Sequence, residues 1–316
     1  MFAPGNSDCA RYFSVSKEVA ALGTTLYVLG FAFGPLVWAP GSEAFGRRWP
    51  ICIGALGSSI FTIASATAPN IQTLLICRFF AGVGGSSGLS VVPGTLADLF
   101  AGNARETAIC VYALAVFIGP FISPFVGGFI IQSGLGWRWT LYIPSFLGFL
   151  SSLLCILYVK ETYPPVVLVA KAVELRQKSQ NWGIHARRER EVIGAHVLVQ
   201  KYFTRPLRML VTEPIILMFS LYMSFTYGLV YGFLEAYPIV FEGVYSMNSG
   251  VAGLPAIALA LGAVLAIVYI IAHNTRSYKA MEVSGKPPDT EARLIPSMVG
   301  AVLFPVGLFW YVSPTS

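Results

Sequence analysis

Long apolar runs dominate the chain, and each run is about as long as one membrane-spanning helix. A helix needs about 20 mostly apolar residues to cross the hydrocarbon core of a bilayer. Short polar segments separate the runs, and Ala68-Pro69-Asn70 divides one of them into two helices. The pattern predicts eight spans, which lie near residues 20–43, 50–68, 71–97, 107–131, 139–159, 214–238, 250–272 and 295–312.

The overall composition agrees with this pattern and excludes an ordinary soluble domain. The chain is 55% hydrophobic and only 11% charged, and its mean hydropathy is +0.68. The three histidines lack the spacing of metal ligands, and the sequence has no nucleotide-binding loop. We therefore expect an all-α, multi-pass membrane protein that uses no metal or cofactor.

The basic residues fall mainly on one side of the predicted membrane. The segments at 44–49, 98–106, 160–213 and 273–293 carry 17 of the 21 Lys and Arg residues. Cytoplasmic loops are enriched in Lys and Arg, so these segments are predicted to be cytoplasmic. The net charge of +6 then reflects membrane topology and requires no nucleic-acid partner.

The long basic segment divides the chain into three parts. Residues 1–159 form a predicted N-terminal bundle of five helices, and residues 214–316 form a partial C-terminal bundle of three. Residues 160–213 would join them as a cytoplasmic linker. We expect the linker to be solvated and to face lipid headgroups, while a phosphorylation or partner site is the alternative.

Arg78 lies inside an otherwise apolar span, where a guanidinium cannot lose its proton. Its burial in lipid would cost about 3 kcal/mol or more unless groups inside the protein solvate it. We therefore expect Arg78 to point into the N-terminal bundle, either as a pathway or proton-coupling residue or as a structural tie to backbone carbonyls. The same span carries glycines expected to allow close helix packing, namely Gly82, Gly84, Gly85 and Gly88.

The turn between the first two spans carries a charged motif, in which Glu43 is followed by Gly46-Arg47-Arg48. This segment resembles the loop signature of the major facilitator superfamily. The resemblance implies a conformational charge cluster of Glu43, Arg47 and Asp98, with Arg48 and Arg105 nearby. It also implies that Arg78, which precedes Gly82 by four residues, is associated with proton coupling.

A second motif lies in the fourth predicted span, where two prolines alternate with small residues. It resembles the antiporter motif of the same superfamily, which is associated with proton-linked exporters. Independently of that resemblance, two prolines bend a helix and small residues let a neighbour pack at the bend. The motif residues are Gly119, Pro120, Pro124, Gly127 and Gly128.

Further segments narrow the resemblance to the fungal twelve-helix drug:proton antiporters, a branch that includes polyamine and azole exporters. The segments are Trp137–Thr140, Glu161–Pro165, Arg205–Leu207 and Glu213-Pro214. The eight spans would match family helices two to nine. The resemblance therefore implies that about eight of twelve helices are present and that the chain is truncated.

We accordingly expect a secondary active transporter that exports drugs, polyamines or other small organic compounds in exchange for protons. The resemblance implies a monomer in the plasma membrane, with the vacuolar membrane as the alternative. Glu235 is a second pathway candidate. Aromatic residues that could line a substrate site by stacking are Tyr222, Phe225, Tyr227 and Tyr231.

Three alternatives to an active transporter follow from the same sequence. The chain could be a fragment without activity, because both predicted bundles lack helices of the twelve-helix pattern. A membrane-embedded transferase would need a His/Asp or paired-carboxylate cluster at a helix end, and no such cluster is evident in the sequence. A polytopic receptor is disfavoured by the two-bundle layout and the proline-rich fourth span.

Overall fold

The computed structural model describes residues 2–190, 200, 204–243, 247–284 and 294–312, and these residues are mainly helical. We number the α-helices in chain order. They are α1 Asn6–Phe13, α2 Lys17–Phe33, α3 Pro35–Phe45, α4 Arg48–Ala66, α5 Ile71–Leu99, α6 Gly102–Gln132, α7 Trp139–Tyr158, α8 Pro164–Ser179, α9 Arg205–Thr212, α10 Pro214–Gly243, α11 Ser249–Ala252, α12 Pro255–Ser284 and α13 Ile295–Val312. Short 3₁₀ helices cover Ala3–Gly5 and Arg187–Arg190.

Seven of the eight predicted spans are long and apolar enough to cross a membrane. The first is formed by α2 and α3 together, over Lys17–Phe45, and the last by Gly250–Ala280. The eighth predicted span corresponds to α13, whose described apolar part, Ile295–Phe309, is shorter than the others. The all-α, multi-pass prediction is confirmed.

The helix α12 continues to Ser284, well beyond residue 272, near which the predicted span ends. The predicted loop at 273–293 therefore begins inside a helix that carries Arg276 and Lys279. Lys, Ala and Met are strong helix formers, so a helix continues readily past the edge of the hydrocarbon.

The N-terminal bundle is built around α5, which packs against α2 and α4, while α4 also packs against α7. A side chain at Gly82 would collide with the backbone oxygen of Tyr27 in α2, and one at Gly84 would lie 2.6 Å from the backbone nitrogen of Ser58 in α4. These two glycines thus allow α5 to approach both neighbours. Gly88 has more room, since its nearest neighbour is Tyr112 Oη at 3.9 Å.

The C-terminal helices contact the N-terminal bundle through α6, which packs against α11 and α12. Phe121 of α6 forms a small core with Leu234 of α10 and with Ala256 and Ala260 of α12. In contrast, the most apolar stretch of α10 has no buried residue among those that the structure describes. Much of α10 is therefore left to contact lipid or another protein segment.

Candidate functional site

Arg78 points into the N-terminal bundle, where only 8% of the residue remains exposed. Its Nε donates a hydrogen bond to the carbonyl oxygen of Gly23 in α2, at 3.2 Å. The guanidinium also lies over two aromatic rings, with its Cζ 4.5 Å from the ring centre of Phe2 and 5.1 Å from that of Tyr27. Gly23 leaves room for this arrangement, because a Cβ there would lie 2.8 Å from the Phe2 ring.

The charge of Arg78 is thus solvated by neutral groups. In the described part of the chain, no carboxylate oxygen lies within 4 Å of the Arg78 guanidinium. Nearby, burial raises the pKa of the Cys9 thiol to about 11, although Arg78 and Arg138 act in the opposite direction. Cys9 therefore stays a neutral thiol and adds no counter-charge near Arg78.

At the predicted cytoplasmic end, Arg47 forms an ion pair with Asp98. Arg47 lies in the turn before α4 and Asp98 near the end of α5, and the Nε–Oδ2 distance is 3.1 Å. Nη1 of Arg47 also donates to Oγ of Ser42, at 2.8 Å, and Ser42 is buried. The structure therefore brings together Arg47 and Asp98, which the motif places in the charge cluster.

The other residues predicted for this cluster, Glu43, Arg48 and Arg105, differ in their surroundings. Glu43 takes part through its backbone carbonyl, which accepts a hydrogen bond from Nη2 of Arg188 at 3.1 Å. Arg48 donates from its Nη2 to the carbonyl oxygen of Ile156 near the end of α7, at 2.9 Å. Arg105 is exposed in the first turn of α6.

Glu161 is a central residue of this cluster that the sequence analysis did not identify. Its carboxylate accepts hydrogen bonds from the backbone N–H groups of Arg47 (2.9 Å), Arg48 (3.3 Å), Thr162 (3.0 Å) and Tyr163 (2.9 Å). Burial opposes ionisation of Glu161, but these four donors stabilise the anion and hold the pKa of Glu161 below its ordinary value. Glu161 thereby ties the segment after α7 to the turn before α4.

The linker contributes a further cation, Arg188, to the same surface. Its Nη2 donates to the carbonyl oxygens of Glu43 and Ala44 at the end of α3, where helix carbonyls lack intrahelical partners. Arg47 and Arg188 also lie over the ring of Tyr163, at 4.8 and 5.7 Å from its centre. Part of the predicted solvated linker thus packs on the charged turn.

The proline motif of α6 shows how the helix compensates for its missing donors. Pro124 has no N–H to donate to the carbonyl of Pro120, four residues earlier. The hydroxyl of Ser123 donates to that carbonyl instead, at 2.9 Å. Pro124, Gly127 and Gly128 are buried, whereas Gly119 is exposed.

This motif faces the C-terminal helices. A Cβ at Gly253, directly after α11, would lie 2.7 Å from Cα and 2.8 Å from the backbone nitrogen of Phe125. The backbones of the two halves therefore approach each other closely beside Pro124. A second contact joins α6 to α12 near the start of α6. There, Tyr278 Oη of α12 donates a hydrogen bond to Oε1 of Glu106 in α6, at 2.8 Å.

The predicted aromatic site divides between two faces of α10. Tyr227 and Tyr231 stack on each other, with ring centres 6.5 Å apart, and Tyr227 stacks on Phe117 of α6 at 5.8 Å. At about 100° per residue, Tyr222 and Phe225 lie on the opposite side of the helix. Phe225 is 64% exposed, so the structure does not bring the four residues together. The side chain of Glu235, the remaining candidate, is outside the described part of the chain.

Comparisons with known proteins agree with this architecture. The sequence matches the Major Facilitator Superfamily over residues 1–316. An uncharacterized transporter of Schizosaccharomyces pombe is 44% identical over 98% of this chain and 57% of its own length. The ascochitine biosynthesis cluster MFS transporter of Didymella fabae is 42% identical over 98% of this chain and 60% of its own length.

The similarity extends to relatives named as multidrug transporters. FLU1 of Candida albicans is 40% identical over 98% of this chain, which corresponds to 51% of FLU1. The chain thus spans about half the length of the curated relatives that it matches. The apolar helices, the charged turn and the family match over residues 1–316 together show that this chain is an integral, multi-pass membrane protein of the Major Facilitator Superfamily.

Proposed function

We propose that these residues belong to a secondary active transporter that exports small organic compounds in exchange for protons. The observation that carries this proposal is Arg78, a permanent cation inside the N-terminal bundle whose described neighbours are neutral. A buried charge without a counter-charge has an energy that depends strongly on its surroundings. Movement of the helices, or protonation of a group nearby, would change that energy and so couple the two events.

The contact between α6 and the C-terminal helices supports the same mechanism. Alternating access requires one bundle to move against the other around a site near the middle of the membrane. Pro120 and Pro124 allow α6 to bend, and Gly253 allows the opposing backbone to follow it closely. We infer that this contact seals one side of the pathway, and that the Arg47–Asp98 pair with Glu161 stabilises one of the two conformations.

The substrate class is inferred from the relatives and from one aromatic surface. FLU1 and related proteins of Candida glabrata are named multidrug transporters. Phe117, Tyr227 and Tyr231 present stacked rings between α6 and α10, which suit flat or cationic organic compounds. We therefore place substrate contacts on this face of α10 and not on Tyr222 or Phe225, and we retain Glu235 as the candidate carboxylate.

The role of Arg78 can be tested in proteoliposomes with an imposed pH gradient, using the protein with all its flanking sequence. We expect Arg78→Ala to abolish pH-driven export while membrane insertion stays normal, because the variant removes the buried cation. Arg78→Lys keeps the charge but loses the planar group that lies over Phe2 and Tyr27, so we expect only partial activity.

Arg138→Ala is a matched control for the loss of an arginine that contacts aromatic rings. Nε of Arg138 donates to the carbonyl oxygen of Ala66, at 3.0 Å, and its guanidinium lies 4.5 Å from the ring centre of Tyr12. Its contacts thus resemble those of Arg78, but Arg138 lies just before α7 and outside the spans. We expect Arg138→Ala to retain pH-driven export. Normal export by Arg78→Ala would leave Arg78 with a structural role only.

A further inference from the structure

The helix α9 lies between the linker and the first span of the C-terminal half. One residue, Glu213, separates it from α10, and the backbone of Glu213 is extended, with φ −104° and ψ 103°. The chain therefore changes direction at Glu213, and α9 does not continue along the axis of α10. Because α10 enters the membrane from the predicted cytoplasmic side, α9 must lie within a few residues of that membrane surface.

Its eight residues form two distinct faces. At about 100° per residue, Arg205, Arg208 and Thr212 share one side of the helix. Leu207 and Val211 lie about 110° around the helix axis from the centre of that side, and they are 63% and 81% exposed. Among the described residues, little protein therefore covers Leu207 and Val211, although their helix adjoins a membrane span.

An exposed apolar face at this position needs a partner. Isolated helices of this length are marginal in water, and most of their stability comes from packing of the apolar face. Short amphipathic helices with Lys or Arg on the polar side bind in the interface of a bilayer, and the cytoplasmic leaflet supplies anionic headgroups. Both features of α9, its apolar face and its two arginines, match that surface.

We propose that α9 lies in the plane of the cytoplasmic leaflet and binds anionic phospholipids. Leu207 and Val211 insert among the acyl chains, while Arg205 and Arg208 contact headgroup phosphates or carboxylates. This contact fixes the depth at which α10 enters the bilayer. The inference requires the membrane placement of the chain but not proton coupling, so the two proposals can fail independently.

Spin labels on adjacent residues test the placement directly. The protein with its flanking sequence is prepared without its native cysteines, which within residues 1–316 are Cys9, Cys52, Cys77, Cys110 and Cys155. A nitroxide is attached at Val211→Cys or Leu207→Cys, and at Thr212→Cys as the matched control on the polar side. Each variant is reconstituted in nanodiscs of phosphatidylcholine and phosphatidylserine, and collisions with oxygen and with a water-soluble nickel complex are measured.

The two collision rates distinguish lipid, water and protein. We expect the labels at 207 and 211 to lie in lipid. Their ratio of oxygen collisions to nickel collisions is then several-fold higher than that of the label at 212. Equally low ratios at 211 and 212 would mean that the apolar face is in water and would overturn the proposal. Low rates with both reagents at 207 and 211 would show that a protein segment covers the face, which also overturns it.

The headgroup preference is tested by exchanging the lipid. In the label variants, replacing phosphatidylserine with phosphatidylcholine is expected to lower the collision ratio at 211 several-fold. Combining Arg205→Gln with Arg208→Gln is expected to remove this difference between the two lipids. If the lipid exchange has no effect on the collision ratio at 211 in the labelled protein that keeps Arg205 and Arg208, the claim of anionic lipid binding is wrong.

Discussion

At the scale of single residues, Glu161 holds two distant segments together through hydrogen bonds to backbone groups. We expect Glu161→Gln to lower the free energy of unfolding by about 1.5–3 kcal/mol, because hydrogen bonds to a charged acceptor are lost and an amide cannot accept all four N–H groups. Thermal unfolding followed by tryptophan fluorescence would measure the change. Glu174→Gln is the control, since Glu174 forms an exposed pair with Lys178.

The same residue predicts a pH dependence. The pKa of Glu161 in the folded chain lies below its ordinary value of 4.5. Its ionised form therefore stabilises the fold fully above about pH 4.5, and this contribution disappears as the pH falls through the lowered pKa. We expect the parent protein to lose more stability than Glu161→Gln between pH 5 and pH 3. Parallel losses in the two proteins would contradict this role.

The sequence predicts charged residues better than it predicts their partners. The charged motif of Glu43 and Gly46-Arg47-Arg48 identified the turn, and its resemblance to the loop signature of the superfamily implied Asp98 at the end of the Arg78 span. Glu161 lies 114 positions after Arg47 and acts on backbone N–H groups, which carry no side-chain signal. The position of Arg188 depends in the same way on how the linker folds back.

At the scale of helices, close backbone contact between α6 and the C-terminal half predicts a sensitive glycine. We expect Gly253→Val to destabilise the protein by about 1–3 kcal/mol and to reduce export, because its Cβ would meet backbone atoms of Phe125 that cannot rotate away. Thermal unfolding and pH-driven export would be measured together. Gly262→Val in α12 is the matched control, since a Cβ there meets no atom within 4 Å among the described residues.

If Gly253→Val has normal stability and normal export, α6 and α11 can separate without a loss of stability. That result would contradict the proposal that their contact seals one side of the pathway. If both valine variants lose activity equally, the cause is the added side chain and not the contact with α6. The two glycines lie nine residues apart in the C-terminal half, so differences in expression are expected to be small.

Local sequence features account for the predictions made at the scale of helices. The limits of the spans follow from the length of the apolar runs. The start of α5 follows from Asn70, whose Oδ1 accepts a hydrogen bond from the N–H of Thr73 at 2.8 Å. Periodicity also separates Tyr227 and Tyr231 from Tyr222 and Phe225, so this division was available from the sequence. The stacking of Tyr227 on Phe117 could not be predicted from the sequence, because it depends on how α10 packs against α6.

At the scale of the whole molecule, the two halves differ in how much of their apolar surface the described residues cover. The N-terminal bundle buries Arg78 and several small polar residues between its helices. The C-terminal half contacts it mainly through α6, while the most apolar stretch of α10 is exposed among the described residues. The curated relatives are about twice as long as this chain, so further helices are available in those proteins to cover such a surface.

We therefore expect residues 1–316 expressed alone to show no pH-driven export, and the protein with its flanking sequence to show it. Alternating access requires both bundles to close each side of the pathway in turn, and the described C-terminal helices leave the face of α10 that carries Tyr227 and Tyr231 incompletely enclosed. Both versions would be reconstituted at equal density in proteoliposomes, and efflux of a fluorescent drug would be followed under an imposed pH gradient. Reactivity of the buried Cys9 and Cys52 thiols would report whether each version is folded. Equal export by two folded versions would contradict this expectation and would require a transport mechanism that operates with these helices alone.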